Sequence, residues 1–177
     1  MSKFKPSFVA VGLLFVSSAL FNTNVLADNV SGNDKSFMKN AAQSGHYEIE
    51  ASKLALSRSS SQEVKDFAQH IIEDHQKAAK ELQAIATKKG VELPTKPSLL
   101  QMTSIKMLQT HKGTDFDESY AEKVGVDAHK SAIDEFSKAS EKSDDSEIKA
   151  FAAKTLPTLK KHLEMATVLE KKTDERD

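Results

Sequence analysis

The residues of this 177-residue chain with the types and spacing to do chemistry are one glutamate and three histidines: Glu48, His75, His129 and His162. The chain has no cysteine, which excludes thiol nucleophiles and thiolate ligands, so any metal must be held by imidazole or carboxylate. Three imidazoles and a carboxylate suit zinc, copper or iron. Each of the four residues lies on an apolar stripe. At about 100° per residue, Glu48 shares the face of Phe37, Ala41 and Ala55, and His75 that of Val64, Ala68, Ile71 and Leu82. His162 shares the face of Ile148, Phe151, Thr155, Ala166 and Leu169. His129 lies with Val126, Ile133 and Phe136, although Glu118 and Glu122 fall there too, and Phe116, Tyr120 and Val124 define a second apolar face. An ionised carboxylate buried alone is costly, so Glu48 needs a protonated imidazole or a metal ion beside it. Asp74 and Glu122 are candidates for additional oxygen ligands. His70 falls on the outer face of its helix and His46 and His111 belong to no stripe, so these three read as solvated.

Four amphipathic segments must position the cluster. The first runs from about Ser36 to Arg58 and ends at the Ser59-Ser60-Ser61 break. Ser60 with Glu63 reads as a capping box opening the second, which Gly90 ends; Asp115 with Glu118 opens a third reaching Lys142, and Asp144 with Glu147 opens a fourth. Each of the four site residues lies within about four residues of the middle of its helix, about 6 Å at 1.5 Å per residue, which puts them in one layer. Short breaks force antiparallel neighbours, whereas Gly90 to Thr114 is long enough to cross back along the molecule, with residues 98–110 as a short helix over the core. The predicted fold is therefore all-α: a ferritin-like four-helix bundle of two antiparallel hairpins joined by a long crossover. Glu63-Val64-Lys65-Asp66-Phe67-Ala68 recurs, loosely, as Glu147-Ile148-Lys149-Ala150-Phe151-Ala152, which agrees with two hairpins. Pro157 lies inside the fourth helix and should kink or divide it.

The N-terminus reads as a secretory signal peptide. Lys3 and Lys5 precede an apolar run from Phe8 to Phe21, and Val25-Leu26-Ala27 places small residues at the cleavage positions. The run is shorter than the roughly 20 residues of a spanning helix. The expected organisation is a leader over 1–27, cleaved after Ala27, a flexible lead over 28–35, a helical domain over 36–173 and a tail over 174–177. The formal charge is −1 for the whole chain, too low for the basic field that holds nucleic acid. The serines sit at helix caps and the glycines are scattered singly, so neither a nucleophile elbow nor a phosphate-binding loop is present. Nothing indicates an organic cofactor.

Several of these residues carry a resemblance to a known family: Phe37 with Ala41-Ala42, Glu48, Leu54-Ala55, Val64-Lys65-Asp66-Phe67-Ala68, Asp74-His75, Phe116-Asp117 with Tyr120, His129, and Leu156-Pro157 with His162. In these the chain resembles a widespread bacterial domain of unknown function, often labelled "predicted outer membrane protein" and grouped with the ferritin-like superfamily. The resemblance implies a periplasmic helical bundle in a Gram-negative envelope and favours metal or redox work. It does not supply ligands, because the Glu-x-x-His pattern of di-iron bundles is absent.

The expectation from sequence is an exported periplasmic protein whose Glu48, His75, His129 and His162 bind a metal ion in an envelope or stress-related role, with catalytic turnover undecided. The competing expectation is a non-catalytic helical module, partnered by itself or by another envelope protein, whose Glu/His network only sets packing.

Overall fold

The computed structural model describes Met1 and residues 30–175, so the expected leader beyond Met1, the first two residues of the expected lead and the last two of the expected tail lie outside the described residues. Among the described residues every regular element is helical: α1 (Gly32–Arg58), α2 (Gln62–Lys89), α3 (Leu99–Leu108), α4 (Gly113–Tyr120), a π-helical segment (Ala121–Asp127), α5 (Ala128–Lys142) and α6 (Ser146–Asp174). α4, the π segment and α5 follow one another without a break. α1 packs on α2 and α5 on α6, while α2 also touches α6 and α1 touches α5. No described helix is long and apolar enough to cross a membrane.

Caps fix the starts of these helices within a few residues of the sequence reading. α1 begins at Gly32, inside the stretch expected to be a flexible lead, because the Ser31 side chain accepts a hydrogen bond from the Asp34 amide. Val30 is buried just before it. Ser61 rather than Ser60 caps α2, accepting from the Val64 amide and donating to Glu63, while Ser59 Oγ accepts from the Ser61 amide. Asp145 rather than Asp144 caps α6 through the Glu147 and Ile148 amides at 2.9 and 3.1 Å. The two caps are 84 residues apart, the same offset as the sequence repeat, so both copies of the repeat form the first turns of equivalent helices. The third helix opens at Gly113, which adopts a left-handed φ of 57°, and Asp115 lies in its first turn, where a negative charge suits the helix dipole, without capping it. α6 runs through Pro157 as one helix and is not divided there.

The π segment resolves the two apolar faces of the third helix. One extra residue in a helical turn rotates everything after it by about 100°. The buried stripe runs Phe116, Tyr120, Val124 and then steps five residues to His129 before continuing to Ala132, Phe136 and Ala139. What reads in sequence as two faces is one face re-phased. Gly125 lies in this wide turn against α6; a Cβ built there would stand 2.9 Å from the Cβ of Ala166, so only glycine permits the approach.

The interior consists of two apolar clusters. One gathers Phe37, Met38, Leu82, Ile85, Phe136, Ile148 and Phe151; the other gathers Ala51, Val64, Phe67, Phe116, Tyr120, Val124 and Leu169. On α1, Glu48 falls between residues of the first cluster and those of the second, and the same holds for His75 on α2, His129 at the start of α5 and His162 on α6. The polar residues thus form a layer with hydrophobic packing on both sides. The end bearing the first cluster is clamped by Asp34, which accepts from the Ser143 hydroxyl and from the Asp145 amide, and by the buried Lys89 ammonium 2.5 Å from Asp145.

Gly125→Ala should lower stability by about 1–3 kcal/mol, since overpacking against Ala166 outweighs the helix-propensity gain. Gly45→Ala lies within α1, where a Cβ on this residue would meet nothing within 4 Å, and should raise stability by about 0.5–1 kcal/mol. Urea denaturation of the two variants should give shifts of opposite sign.

Candidate metal centre

Glu48, His75, His129 and His162 come together, one each from α1, α2, α5 and α6, as their stripes require. Glu48 and His129 are fully buried, and His162 and His75 are 2% and 8% exposed. The ring centroids of the three histidines are 5.3–5.7 Å apart. One nitrogen from each histidine lies within 4.8 Å of the others. Glu48 Oε2 is 2.8 Å from His75 Nε2 and 3.7 Å from His129 Nε2.

The 2.8 Å pair is an ion pair whose angles fall short of a well-aligned hydrogen bond: both Glu48 oxygens and His75 Nε2, with His129 Nε2 and His162 Nδ1, are buried polar atoms without a hydrogen bond of good geometry. Buried polar atoms are ordinarily satisfied, so a group of five orphans in one place needs a reason. Two donors bonded to one ion at about 2.0–2.1 Å and at tetrahedral or right angles stand about 2.9–3.3 Å apart. The Glu48–His75 spacing is close to that. The histidine nitrogens lie within 4.8 Å of one another, so the widest pair must draw in by up to about 1.5 Å to reach that spacing.

The outer nitrogens of two histidines are held in the way that metal-binding imidazoles are usually held. His129 Nδ1 contacts the Val124 carbonyl at 3.0 Å, five residues back across the π turn. If that nitrogen carries the proton and donates it, Nε2 is left with a lone pair directed at the cluster. His162 Nε2 lies 3.2 Å from Asp74 Oδ2, which leaves Nδ1 as the inner, proton-free nitrogen. Asp74 therefore stands behind His162 as an orienting group rather than facing the cluster as an oxygen ligand, and Lys77 holds it at 3.0 Å. Glu122 is not part of the site: it is exposed and pairs with Lys123 at 2.5 Å. The re-phasing of the third helix turns it away, so its apparent place on the His129 face belonged to an unbroken α-helix.

The electrostatics favour the neutral form of two of these rings and a proton on the third. Burial pushes the His162 ring down to about 4, with the neighbouring His75 and His129 rings acting the same way and Asp74 opposing. Burial likewise lowers His129, against the attraction of Glu48. Burial alone would raise Glu48, but the attraction of His75 and His129, with a smaller part from His162, holds its carboxyl below the usual range. His75 moves in the opposite sense to the other two histidines: burial lowers it, and Glu48, with a contribution from Asp74, more than restores it to a raised value. Tyr47, next in sequence to Glu48, is pushed up to about 12 by burial and by the Glu48 charge.

The remaining histidines divide. His70 is exposed, with Nδ1 2.9 Å from the Asp66 carbonyl of its own helix, and is outside the site as expected. His46 and His111 are half-buried rather than solvated, each lining a separate cavity. A cavity of about 120 Å³ reaches the cluster at Glu48, Asp74, His75 and His162. Sequence reasoning missed the Val124 carbonyl and this cavity. The signal for the first is the five-residue step in the third helix's stripe, and for the second the run of small residues, Ala41, Ala42, Gly45 and Ala78, on the faces that carry Glu48 and His75.

Fold and site together define an all-helical protein with a buried histidine and carboxylate layer in which three histidines could hold a metal ion. Residues 22–169 match the family described as Domain of unknown function (DUF4142), and the chain belongs to that family. No curated protein and no solved structure matches it.

Titration of the imidazole rings by NMR in metal-free protein should find His162 and His129 protonating below about 6.5, His162 near 4, and His75 above about 6.5. For His162 the unfolded chain takes up the proton first, so its effect is to reduce stability as pH falls from about 6.5 to about 4. His75 acts in reverse: its contribution is complete below about 6.5 and is lost as pH rises through its folded value. A His162 ring that titrates as a solvated imidazole would contradict this arrangement.

Proposed function

We propose that this protein binds one divalent or redox-active metal ion, zinc, copper or iron, through His75 Nε2, His129 Nε2, His162 Nδ1 and Glu48, in the dry middle of a ferritin-like four-helix bundle. The observation that carries the proposal is the set of five donor atoms, none with a hydrogen bond of good geometry, enclosed between two apolar clusters. An ion would engage all three nitrogens and a Glu48 oxygen at once, and the neutral inner nitrogens of His129 and His162 are already in the form that binds metal. The packing of α1 on α2 and of α5 on α6, with α3 in the long crossover between the pairs, supports the ferritin-like arrangement. Export through the leader at residues 1–27 puts this bundle in the periplasm, with a role in the envelope or in stress, a reading that rests on the leader pattern and the family resemblance.

A second reading is favoured by the short Glu48–His75 approach: a protonated His75 neutralises Glu48 without metal, and the layer serves only to set helix packing in a non-catalytic module joined to itself or to an envelope partner. The two differ in what an added ion does. Under the metal reading, equilibrium dialysis of chelator-treated protein against zinc or cobalt gives one ion per chain, the melting temperature rises with ion concentration, and affinity falls as pH drops through the raised value of His75, above about 6.5, because the His75 proton competes with the ion. His75→Ala and His129→Ala abolish uptake, Asp74→Asn weakens it about 10–100-fold by freeing His162, and Glu122→Ala leaves it unchanged. No uptake and an unchanged melt would overturn the metal reading and leave the packing network.

A further inference from the structure

The cavity that meets the cluster is larger than a void left by imperfect packing. At about 120 Å³ it approaches the roughly 150 Å³ of an engineered apolar cavity that takes up benzene. It extends from Glu48, fully buried, to Ala79 and Gln83 on the exposed side of α2, and Leu93 and Pro94 of the crossover also border it. Its body is apolar, formed by small alanines on α1 and α2 and by Leu82, Phe136, Phe151 and Leu159. Its inner end is different. There the wall includes Glu48, His75 and His162; His75 Nε2 faces Glu48 Oε2 at 2.8 Å, which leaves Glu48 Oε1 and the inner Nδ1 of His162 as the open acceptors.

An apolar body with acceptors at its closed end calls for an occupant of the converse shape: a small hydrocarbon body with one hydrogen-bond donor at its tip. A cation at the tip would meet the same acceptors but would be repelled by an ion in the cluster, whereas a hydroxyl serves both states. It donates to Glu48 when no ion is bound, and its oxygen offers a further donor when one is. We propose that this cavity is a binding pocket for a small hydroxylated apolar molecule of about benzene size, of the phenol or short-chain alcohol class, entering past the Leu93–Pro94 segment with its hydroxyl directed to Glu48. The pocket shares residues with the metal centre but does not need the ion.

Phenol is the probe, with benzene as the control that lacks the hydroxyl. Calorimetric titration of the metal-free full chain should show saturable phenol binding, about tenfold or more tighter than benzene because the hydroxyl meets a charged acceptor. Ala78→Leu and Ala42→Leu fill the cavity from α2 and from α1 without altering the cluster; each should abolish phenol binding while zinc uptake stays as in the parent protein. Should either variant fail to fold, intermolecular NOEs in the parent protein supply the reading: phenol ring protons should contact Ala78, Leu82 and Phe151. No saturable binding, equal affinity for phenol and benzene, undiminished binding in a folded cavity-filled variant, or NOEs confined to other residues would each overturn the proposal. Phenol binding in a protein that takes up no metal would support the pocket while removing the metal reading, so the two fail separately.

Discussion

The structure depends on a carboxylate kept out of water. Glu48 has no exposure and no hydrogen bond of good geometry to either oxygen, yet His75, His129 and His162 hold its carboxyl below the usual range. A buried anion of this kind is tolerable only where positive charge is supplied within a few ångströms. The protein can supply it by protonating His75 or by taking up a cation. Protonating all three rings is not open to it, because burial and mutual repulsion push two of them down. The layer therefore holds one negative charge among two neutral rings and one that titrates; a divalent ion would displace the single His75 proton and leave the layer with a net charge of +1 beside the Asp74 carboxylate.

The helices are built to hold that layer. The four side chains lie between the apolar clusters with at most 8% exposure, so each electrostatic interaction in the layer is stronger than it would be at the surface. Two imidazoles are oriented from behind, one by a carboxylate at the rim and one by a backbone carbonyl that the π turn supplies. A π turn sacrifices regular α-helical bonding and persists where it gains something specific. Here it does two things together: it aims His129 inward, and it brings Gly125 into close contact with α6 at Ala166, one turn beyond His162.

Much of this was legible in the sequence because helical periodicity is a strong signal over long segments. Glu48, His75 and His162 each lie on an unambiguous apolar stripe, and all three face the interior. Helix starts were legible to within one to four residues, since Ser60 and Ser61, or Asp144 and Asp145, offer the same oxygen chemistry one residue apart, and tertiary contacts choose between them. The third helix was not legible as drawn. A wheel assumes a constant 100° step, and the π turn breaks that assumption, which is why Glu122 looked like a neighbour of His129 and why two faces looked apolar. Asp74 fell off its stripe because it reaches His162 sideways from the rim, a contact between helices that no single-helix projection contains. His46 and His111 were assigned to solvent because no stripe claims them, but the crossover and its neighbours form cavities that they line.

The central claim is that the three inner histidine nitrogens and the Glu48 carboxylate converge on one ion. Crystals of the protein soaked in zinc, with diffraction recorded on both sides of the zinc absorption edge, test it directly. The account predicts a single anomalous peak about 2.0–2.2 Å from His75 Nε2, His129 Nε2, His162 Nδ1 and a Glu48 oxygen. Anomalous density only at surface sites, with the Glu48–His75 contact unchanged, would contradict it.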